Sequence, residues 1–261
     1  MFREEIPYIE VVPKYTKENW EIGFGLQAID GLKPSEYLVE LAEKQIAGMI
    51  GYDDVETNLR DYYENQAETK DNMEADFSAM RIAEILADNS FTFSPITLLG
   101  YHKIIFSGIE TFHYPVGEFR KTNMTKNEPI LNGATVSYTN YQMIKPTLDY
   151  DFAQEKAKDY SGKSRVDIAH EVMQFISSIW QVHPFREGNT RTMSVFAIKY
   201  LREFGFELDN EPFKNHARYF RDSLAIANAR PDIKKDIYLR MFTENAVLGG
   251  KNELVIKNNI D

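Results

Sequence analysis

Hydrophobic residues recur at three- and four-residue intervals over much of the chain, as on one face of an α-helix. Pro34 and Ser35 precede such a pattern, EYLVELAEKQIAGMI, and serine favours the position that caps a helix N-terminus. A polar stretch at 64–73 predicts a linker or an exposed turn. The same periodicity returns over 77–86 and predicts a helix there, and further helices are predicted over 55–63, after Gly51, and over 95–106. The first hundred residues are therefore predicted to be mainly helical.

The periodicity returns strongly after Ser164 and continues to Trp180. A polar break, HPFREGN, separates that helix from another one, which is predicted to end at Gly205 because glycine commonly follows a helix C-terminus. Two more helices are predicted, over about 212–228 and 232–247.

Residues 114–150 interrupt the helical pattern with several prolines and glycines. Within them, Asn132-Gly133 stands between two apolar runs and favours the tight turn of a β-hairpin, in which both central residues need positive φ. The sequence therefore predicts a small β-hairpin, at about 128–141, in a mainly α protein.

Composition narrows the classes of protein that fit. The 261 residues carry a formal net charge of −10, whereas a general nucleic-acid binder needs a basic face. The absence of cysteine excludes disulfides and thiolate chemistry. The segment MFREEIPYIEVVPKY has no apolar core like that of a signal peptide, and no stretch approaches the roughly 20 apolar residues that span a bilayer. We therefore expect a cytoplasmic protein that binds neither membrane nor nucleic acid.

The break at 183–191, HPFREGNTR, contains residue types suited to phosphate chemistry. His183 can accept a proton at neutral pH, and Glu187 can hold a hard cation such as Mg²⁺. Gly188 lets the backbone approach a phosphate at a helix N-terminus, where Arg186 or Arg191 can neutralise its oxygens. The same residues could equally form an ordinary turn with solvated surface charges, and residue chemistry alone leaves the two interpretations open.

The run HPFREGNTRT resembles the signature of the Fic family, His-Pro-Phe-x-(Asp/Glu)-Gly-Asn-Gly-Arg followed by a further Arg. The resemblance extends from about residue 95 to the end. The hairpin stands where the family has its flap, and 210–228 and 242–254 are similar to later helices of the family. It implies a Fic-type helical bundle, with an extension at 1–90, a core at 91–205 and completing helices at 206–261.

The resemblance implies transfer of AMP from ATP to a Ser, Thr or Tyr hydroxyl of a target protein. His183 would be the base and Glu187 would hold Mg²⁺. The other implied nucleotide-binding residues are Phe185, Arg186, Gly188, Asn189, Thr190 and Arg191 of the signature, Thr135, Val136, Ser137 and Tyr138 of the flap, and Tyr219, Phe220 and Asn228 beside the adenine. Self-modification and self-association are further expectations of this resemblance.

Two positions depart from the signature. Thr190 stands where the family has its second glycine, and Ser194 where it has its last arginine, which contacts the γ-phosphate. These departures leave three functions open: adenylylation, transfer of another nucleotide, phosphate or phosphate-linked group, and a non-catalytic Fic-like binding module.

Residues 24–58 are similar to the small antitoxins that partner some Fic toxins. In that register Asp30-Gly31 stands where the inhibitory Glu-Gly would be, and Leu26 replaces a Ser or Thr. The inhibitory motif is therefore altered, and so is its usual partner, the arginine replaced by Ser194. We expect an antitoxin-like module that packs structurally, with weak or no inhibition. Asp30 is its candidate inhibitory residue, although Asp-Gly is also an ordinary turn dipeptide.

Overall fold

The computed structural model describes residues 16–65 and 70–256, which contain eleven α-helices. Their bounds are α1 Thr16–Gln27, α2 Glu36–Ile46, α3 Tyr52–Asn65, α4 Met73–Ala87, α5 Pro95–Phe106, α6 Ile144–Lys156, α7 Arg165–Val182, α8 Asn189–Glu203, α9 Glu211–Asn215, α10 Ala217–Ala227 and α11 Ile237–Val247. These ranges contain no β-strand, so the predicted mainly α fold class is confirmed. Residues 1–15, where no signal peptide is expected, and the centre of the predicted linker at 64–73 lie outside the description.

Local signals placed several helix ends correctly. The Ser35 hydroxyl accepts the Leu38 N–H at 3.1 Å and caps α2. Helix α5 has the predicted bounds, and Gly205, with φ 70°, follows the end of α8. The predicted helix at 212–228 is instead two helices, α9 and α10, which meet at His216, whose extended φ of −128° breaks the run.

Helix α1 has no clear apolar stripe because glycine replaces side chains where it packs. A Cβ at Gly23 would lie 2.5 Å from the Ala79 carbonyl oxygen of α4, and one at Gly25 would lie 2.4 Å from the Phe213 carbonyl oxygen of α9. These close backbone approaches explain why hydrophobic periodicity did not predict α1. Helix α6 was also missed, since it begins inside the segment whose prolines indicated irregular chain.

Helix α8 lies at the centre of the molecule, and every residue from Asn189 to Leu201 is buried. It packs against α4, α5 and α7, while α10 and α11 cover α7 from another side. The N-terminal helices join this core through α1 and α4, and one hydrophobic cluster extends from Trp20 to Leu254. In the described ranges, no helix is both long and apolar enough to cross a membrane.

The segment at 128–141 makes a tight turn without a strand ladder. Asn132 and Gly133 both have positive φ, 54° and 84°, as the turn prediction required. A short 3₁₀ helix, Pro129–Leu131, precedes them, and the Glu128 N–H donates to the Ala134 carbonyl at 3.0 Å. The predicted β-hairpin is therefore replaced by a turn with extended arms, since proline at 129 has no N–H to donate to a ladder.

Candidate active site

Residues 183–188 form the loop between α7 and α8, and hydrogen bonds with Asn189, the first residue of α8, hold its shape. The Asn189 side chain donates to the Phe185 carbonyl and accepts the Phe185 N–H, both at 2.9 Å. His183 and Gly188 bracket this closed turn with positive φ, 50° and 76°. Asn189 thus fixes the loop that carries His183 and Glu187.

Gly188 is required by space as well as by φ. A Cβ at this position would lie 2.4 Å from the Phe106 ring. His102 supports the same wall, since its ring stacks on Phe185 with centroids 3.9 Å apart. The Nδ1 atom of His102 accepts the Gly117 N–H, so the proton of the neutral ring is on Nε2. That Nε2–H donates to the Glu187 carbonyl at 3.0 Å. Burial lowers the pKa of His102 to about 4, which keeps this tautomer neutral.

His183 ends α7 and is 3% exposed. Neither ring nitrogen has a hydrogen-bond partner in the described structure. The imidazole instead lies between two aromatic rings, Tyr138 at 4.2 Å and Trp180 at 5.5 Å between centroids. A buried, unpartnered imidazole costs free energy unless another group completes it, so it is suited to receive a hydrogen-bonding ligand.

The charge state of His183 follows from its surroundings. Burial lowers its pKa well below 6.5, and the positive charges of Lys126 and Arg120 act in the same direction. The imidazole is therefore neutral at neutral pH, and a neutral imidazole can accept a proton.

Arg120, which the sequence did not single out, ties the loop to the opposite wall. Its guanidinium donates to the His183 carbonyl at 2.8 Å and to the Thr122 carbonyl at 2.7 Å, and it also bonds the Thr139 carbonyl. Its backbone N–H donates to the Pro184 carbonyl at 2.8 Å. A 4% exposed arginine thus holds His183 and the segment at 122–139 together.

A cavity of about 180 Å³ opens beside His183. The loop and α8 contribute Glu187, Asn189 and Thr190, and the first N–H groups of α8 have no carbonyl partner within the helix. The remaining lining residues are Ile29, Asp30, Lys126, Pro129, Trp180, Arg218 and Arg221. The cavity thus combines a neutral base, two carboxylates, three cations and a helix N-terminus.

Glu187 presents a partly free carboxylate to this cavity. One oxygen accepts the Gly188 N–H at 3.1 Å, and the other lies 3.7 Å from the Lys126 ammonium. The side chain is 30% exposed. No three His, Asp or Glu side chains converge on a metal site within 16–65 and 70–256. The donor set therefore fits Mg²⁺ held by one carboxylate together with phosphate oxygens and water, which is common for this ion.

The two departures from the signature are both absorbed by hydrogen bonds. The Thr190 hydroxyl accepts the Trp180 indole N–H at 3.0 Å, and the Ser194 hydroxyl donates to the Thr190 carbonyl at 2.8 Å. Ser194 is fully buried and does not line the cavity. No positive charge therefore takes the place of the family's last arginine at this position.

Arg191 is oriented away from the role that the resemblance implied. It is 1% exposed and does not line the cavity. Its guanidinium pairs with Glu74 at 2.6 Å and with Asp30 at 2.9 Å, and it donates to the Gln27 side chain at 3.1 Å. Arg191 thus joins the signature to the N-terminal helices.

Asp30, the candidate inhibitory residue, lies at the cavity wall in the turn after α1. Its carboxylate is 31% exposed and faces both Arg191 and the cavity. Loss of water raises its pKa, Arg191 opposes that rise, and the Glu187 carboxylate adds to it. The structure therefore places a second negative charge near the space beside His183.

Of residues 135–138, which the resemblance assigns to the flap, Tyr138 lies against His183. Thr135 accepts the Lys126 N–H at 3.3 Å, Val136 is buried, and the exposed Ser137 offers its carbonyl to Gln181 at 3.2 Å. Tyr138 stacks on His183, and its hydroxyl donates to Glu128 at 2.7 Å.

Glu128 anchors this wall, and it is fully buried. Besides Tyr138, it pairs with Arg221 of α10, which also pairs with Asp222 at 2.9 Å. The sequence did not single out Glu128 or Arg221. Because Arg218 and Arg221 are three residues apart and share a helix face, that spacing was the signal that could have indicated them.

Of the residues expected to bind the nucleotide, Asn189 and Thr190 line this cavity, whereas Phe185, Gly188, Arg191 and residues 135–138 lie around it without lining it. The remaining four expected residues do not line it either. Arg186 is exposed, and Phe220 is fully buried in the core. Tyr219 is buried and donates to the Tyr238 carbonyl at 3.1 Å. Asn228 caps α10, donates to the Ser177 hydroxyl at 2.8 Å, and lines a second cavity, of about 230 Å³, between α7, α10 and α11.

The central loop of this helical fold presents a histidine, a carboxylate and a helix N-terminus to a cavity lined by three cations, an arrangement suited to phosphate-bearing ligands. Residues 92–201 match the model of the Fic/DOC family. The chain is also 36% identical over 75 residues to a protein of Sinorhizobium fredii described as "Probable protein adenylyltransferase y4lH". That match covers 28% of this chain and 38% of the relative, so the chain spans well under half of the relative's length. The matched part of this chain is therefore similar to the Fic/DOC family. No solved structure matches the chain.

Proposed function

We propose that the protein transfers AMP from ATP to a hydroxyl side chain of a target protein, with His183 as the general base. The observation that carries this proposal is the buried, neutral His183, whose ring nitrogens have no partner in the described residues and which lies beside a cationic cavity. General-base catalysis needs such a neutral acceptor within reach of the attacking hydroxyl.

In the proposed step, the target's hydroxyl oxygen attacks the α-phosphorus of ATP. A new P–O bond forms, the bond to the bridging oxygen of the β-phosphate breaks, and pyrophosphate leaves. The hydroxyl proton moves to a ring nitrogen of His183. Such transfers depend mainly on positioning and on neutralising charge, which the cationic wall and the N-terminus of α8 are suited to provide.

Glu187 is the residue proposed to hold Mg²⁺, which would neutralise phosphate charge when bound. Its carboxylate faces the cavity with one weak ion pair, to Lys126, at 3.7 Å. One carboxylate beside the phosphates is a sufficient protein contribution for this ion.

The nucleotide base is proposed to extend towards the cavity at Asn228. Ser177 and Trp180 are three residues apart on α7, so the two cavities lie along the same face of that helix. The Asn228 amide N–H groups are occupied by Ser177 and by the Leu224 carbonyl. Its side-chain oxygen therefore remains to accept a hydrogen bond from a base.

One observation favours a second candidate, the transfer of phosphate or of another phosphate-linked group. The buried Ser194 supplies no charge for a γ-phosphate, and Arg191 is bound by the N-terminal helices. The orientation of the triphosphate therefore depends on residues outside the signature, and with it the phosphorus atom that is attacked.

The test uses ATP labelled separately on the α- and γ-phosphates, with Mg²⁺, a lysate, and either the wild-type protein or His183→Ala. Label from the α-position on protein, including this protein itself, and its loss in the variant are expected. Label from the γ-position alone would support the second candidate. Absence of transfer from any nucleotide would contradict both and favour a binding module. The control is His113→Ala, which replaces an exposed histidine away from the cavity.

We also propose that the N-terminal helices are an antitoxin-like module whose Asp30 restrains the site. The support is the carboxylate of Asp30 in the cavity wall and its 2.9 Å ion pair with Arg191. A negative charge at this place opposes the entry of phosphate.

A further inference from the structure

Arg191, the arginine that the signature would supply for phosphate, is bound to the N-terminal helices instead. Arg191 is 1% exposed and pairs with two carboxylates, and the place of the family's last arginine is taken by the buried Ser194. Thus neither signature position presents a cation to the space beside His183.

Three cations do line that space, and they come from two elements outside the signature. Lys126 precedes the turn at 128–134, and Arg218 and Arg221 lie on α10. Arg221 is already bound to Glu128 and Asp222. Lys126 has one long ion pair, 3.7 Å from Glu187, and Arg218 has no hydrogen bond or ion pair among the described residues.

Lys126 and Arg218 border the same cavity from two different elements of the fold. Lys126 approaches Glu187, where Mg²⁺ is proposed, so its ammonium stands near the metal-bound end of the phosphates. Arg218 is exposed where α10 borders the cavity, and its planar guanidinium can take two oxygens of one phosphate. Arg221 is held by the carboxylates of Glu128 and Asp222, so it is not a free donor for a ligand. It contributes positive potential to the cavity and holds the segment at 128–138 in place.

We infer that Lys126 and Arg218 bind the phosphate chain of the ligand beside His183, in the role that the signature gives to its arginines. The inference rests on the proposed function for the identity of the ligand as a nucleoside triphosphate, but the chemistry it requires is that of a polyphosphate. A charge-assisted hydrogen bond to phosphate is worth enough to change affinity by roughly 10- to 100-fold.

The test measures binding of inorganic tripolyphosphate, and of ATP with Mg²⁺, by titration calorimetry. Lys126→Gln and Arg218→Gln are each expected to weaken tripolyphosphate binding by roughly 10- to 100-fold. The matched controls are Lys121→Gln and Arg230→Gln, which remove exposed cations that do not line the cavity. Both controls are expected to bind within about twofold of the wild type, and circular dichroism checks that all four variants fold.

The outcomes separate this inference from the proposed function. Lys126→Gln and Arg218→Gln that bind tripolyphosphate as the wild type does overturn the inference, as does a wild-type protein that does not bind it. If the wild type transfers α-label while these variants bind normally, the proposed function stands and the inference fails. If tripolyphosphate binding depends on Lys126 and Arg218 but no nucleotide donates a group, the inference stands and the proposed function fails.

Discussion

The two walls of the cavity beside His183 are built in different ways. The signature wall, residues 183–191, uses most of its polar side chains to hold itself together or to join other helices, as Asn189 and Arg191 do. The opposite wall, residues 120–139 with α10, has no comparable motif, yet it supplies all three cations that face the cavity.

A dense motif therefore need not contain every residue that contacts a ligand. In the signature wall, His183 and Glu187 face the cavity, while the other charged side chains point away from it. In the opposite wall, buried Glu128 and Arg120 organise the backbone so that Lys126 and Arg221 face inwards. The signature wall thus presents the proposed base and the proposed metal ligand, and the opposite wall presents the cations.

Arg120 connects the two walls through hydrogen bonds to backbone carbonyls of both. Arg120→Gln therefore has the largest expected effect on the free energy of unfolding. The change leaves several buried carbonyls without donors and costs about 3–5 kcal/mol of unfolding free energy. Urea unfolding measures it, and the exposed Arg230→Gln should change stability by less than about 0.5 kcal/mol. A loss of under about 1 kcal/mol for Arg120→Gln would show that the walls are not held by this residue.

Gly188→Ala breaks the signature wall alone. Positive φ and contact of the new methyl with Phe106 are together expected to cost about 2–4 kcal/mol. Gly133→Ala is the matched control, because its φ is 84° but no atom lies within 4 Å of the new methyl. It should cost about 1–2 kcal/mol. Equal losses in urea unfolding would mean that the contact with Phe106 adds nothing.

Glu128→Gln breaks the opposite wall alone. It removes a buried charge from Arg221 and weakens the bond to Tyr138, with an expected cost of about 1–3 kcal/mol. Glu118→Gln, in an exposed ion pair with Lys121, should cost less than about 0.5 kcal/mol. The account of this wall is wrong if the two variants unfold at the same urea concentration.

Asp30→Asn has the smallest expected effect of the four changes, and it tests the negative charge in the cavity wall. Removing this charge from the cavity wall should raise tripolyphosphate affinity and the rate of self-modification by about two- to fivefold, as for other partly exposed charges. Asp232→Asn, an exposed aspartate outside the cavity, should change neither quantity. An unchanged rate and affinity in Asp30→Asn would end the proposal that Asp30 inhibits.

The sequence predicted the helical fold class and the helices whose apolar positions repeat regularly, such as α4 and α7. It did not predict α1, where Gly23 and Gly25 let backbones touch and leave no apolar stripe. The signature indicated that His183 and Glu187 belong to a site, because several different polar and charged residues stand together at 183–191. Lys126 stands far from Arg218 and Arg221 in the sequence, and the three meet only when the turn at 128–134 folds against α10. The three-residue spacing of the two arginines was the one available signal.

The pH dependence of kcat/KM for transfer of the α-phosphate label tests the central claim, that neutral His183 is the base. Because only the neutral form accepts a proton and burial lowers the pKa of His183, activity should fall only well below pH 6.5. Lys126→Gln removes a nearby positive charge, so it should move this fall towards higher pH. A fall centred at or above pH 6.5 in the wild type, or a midpoint that Lys126→Gln leaves unchanged, would contradict the account.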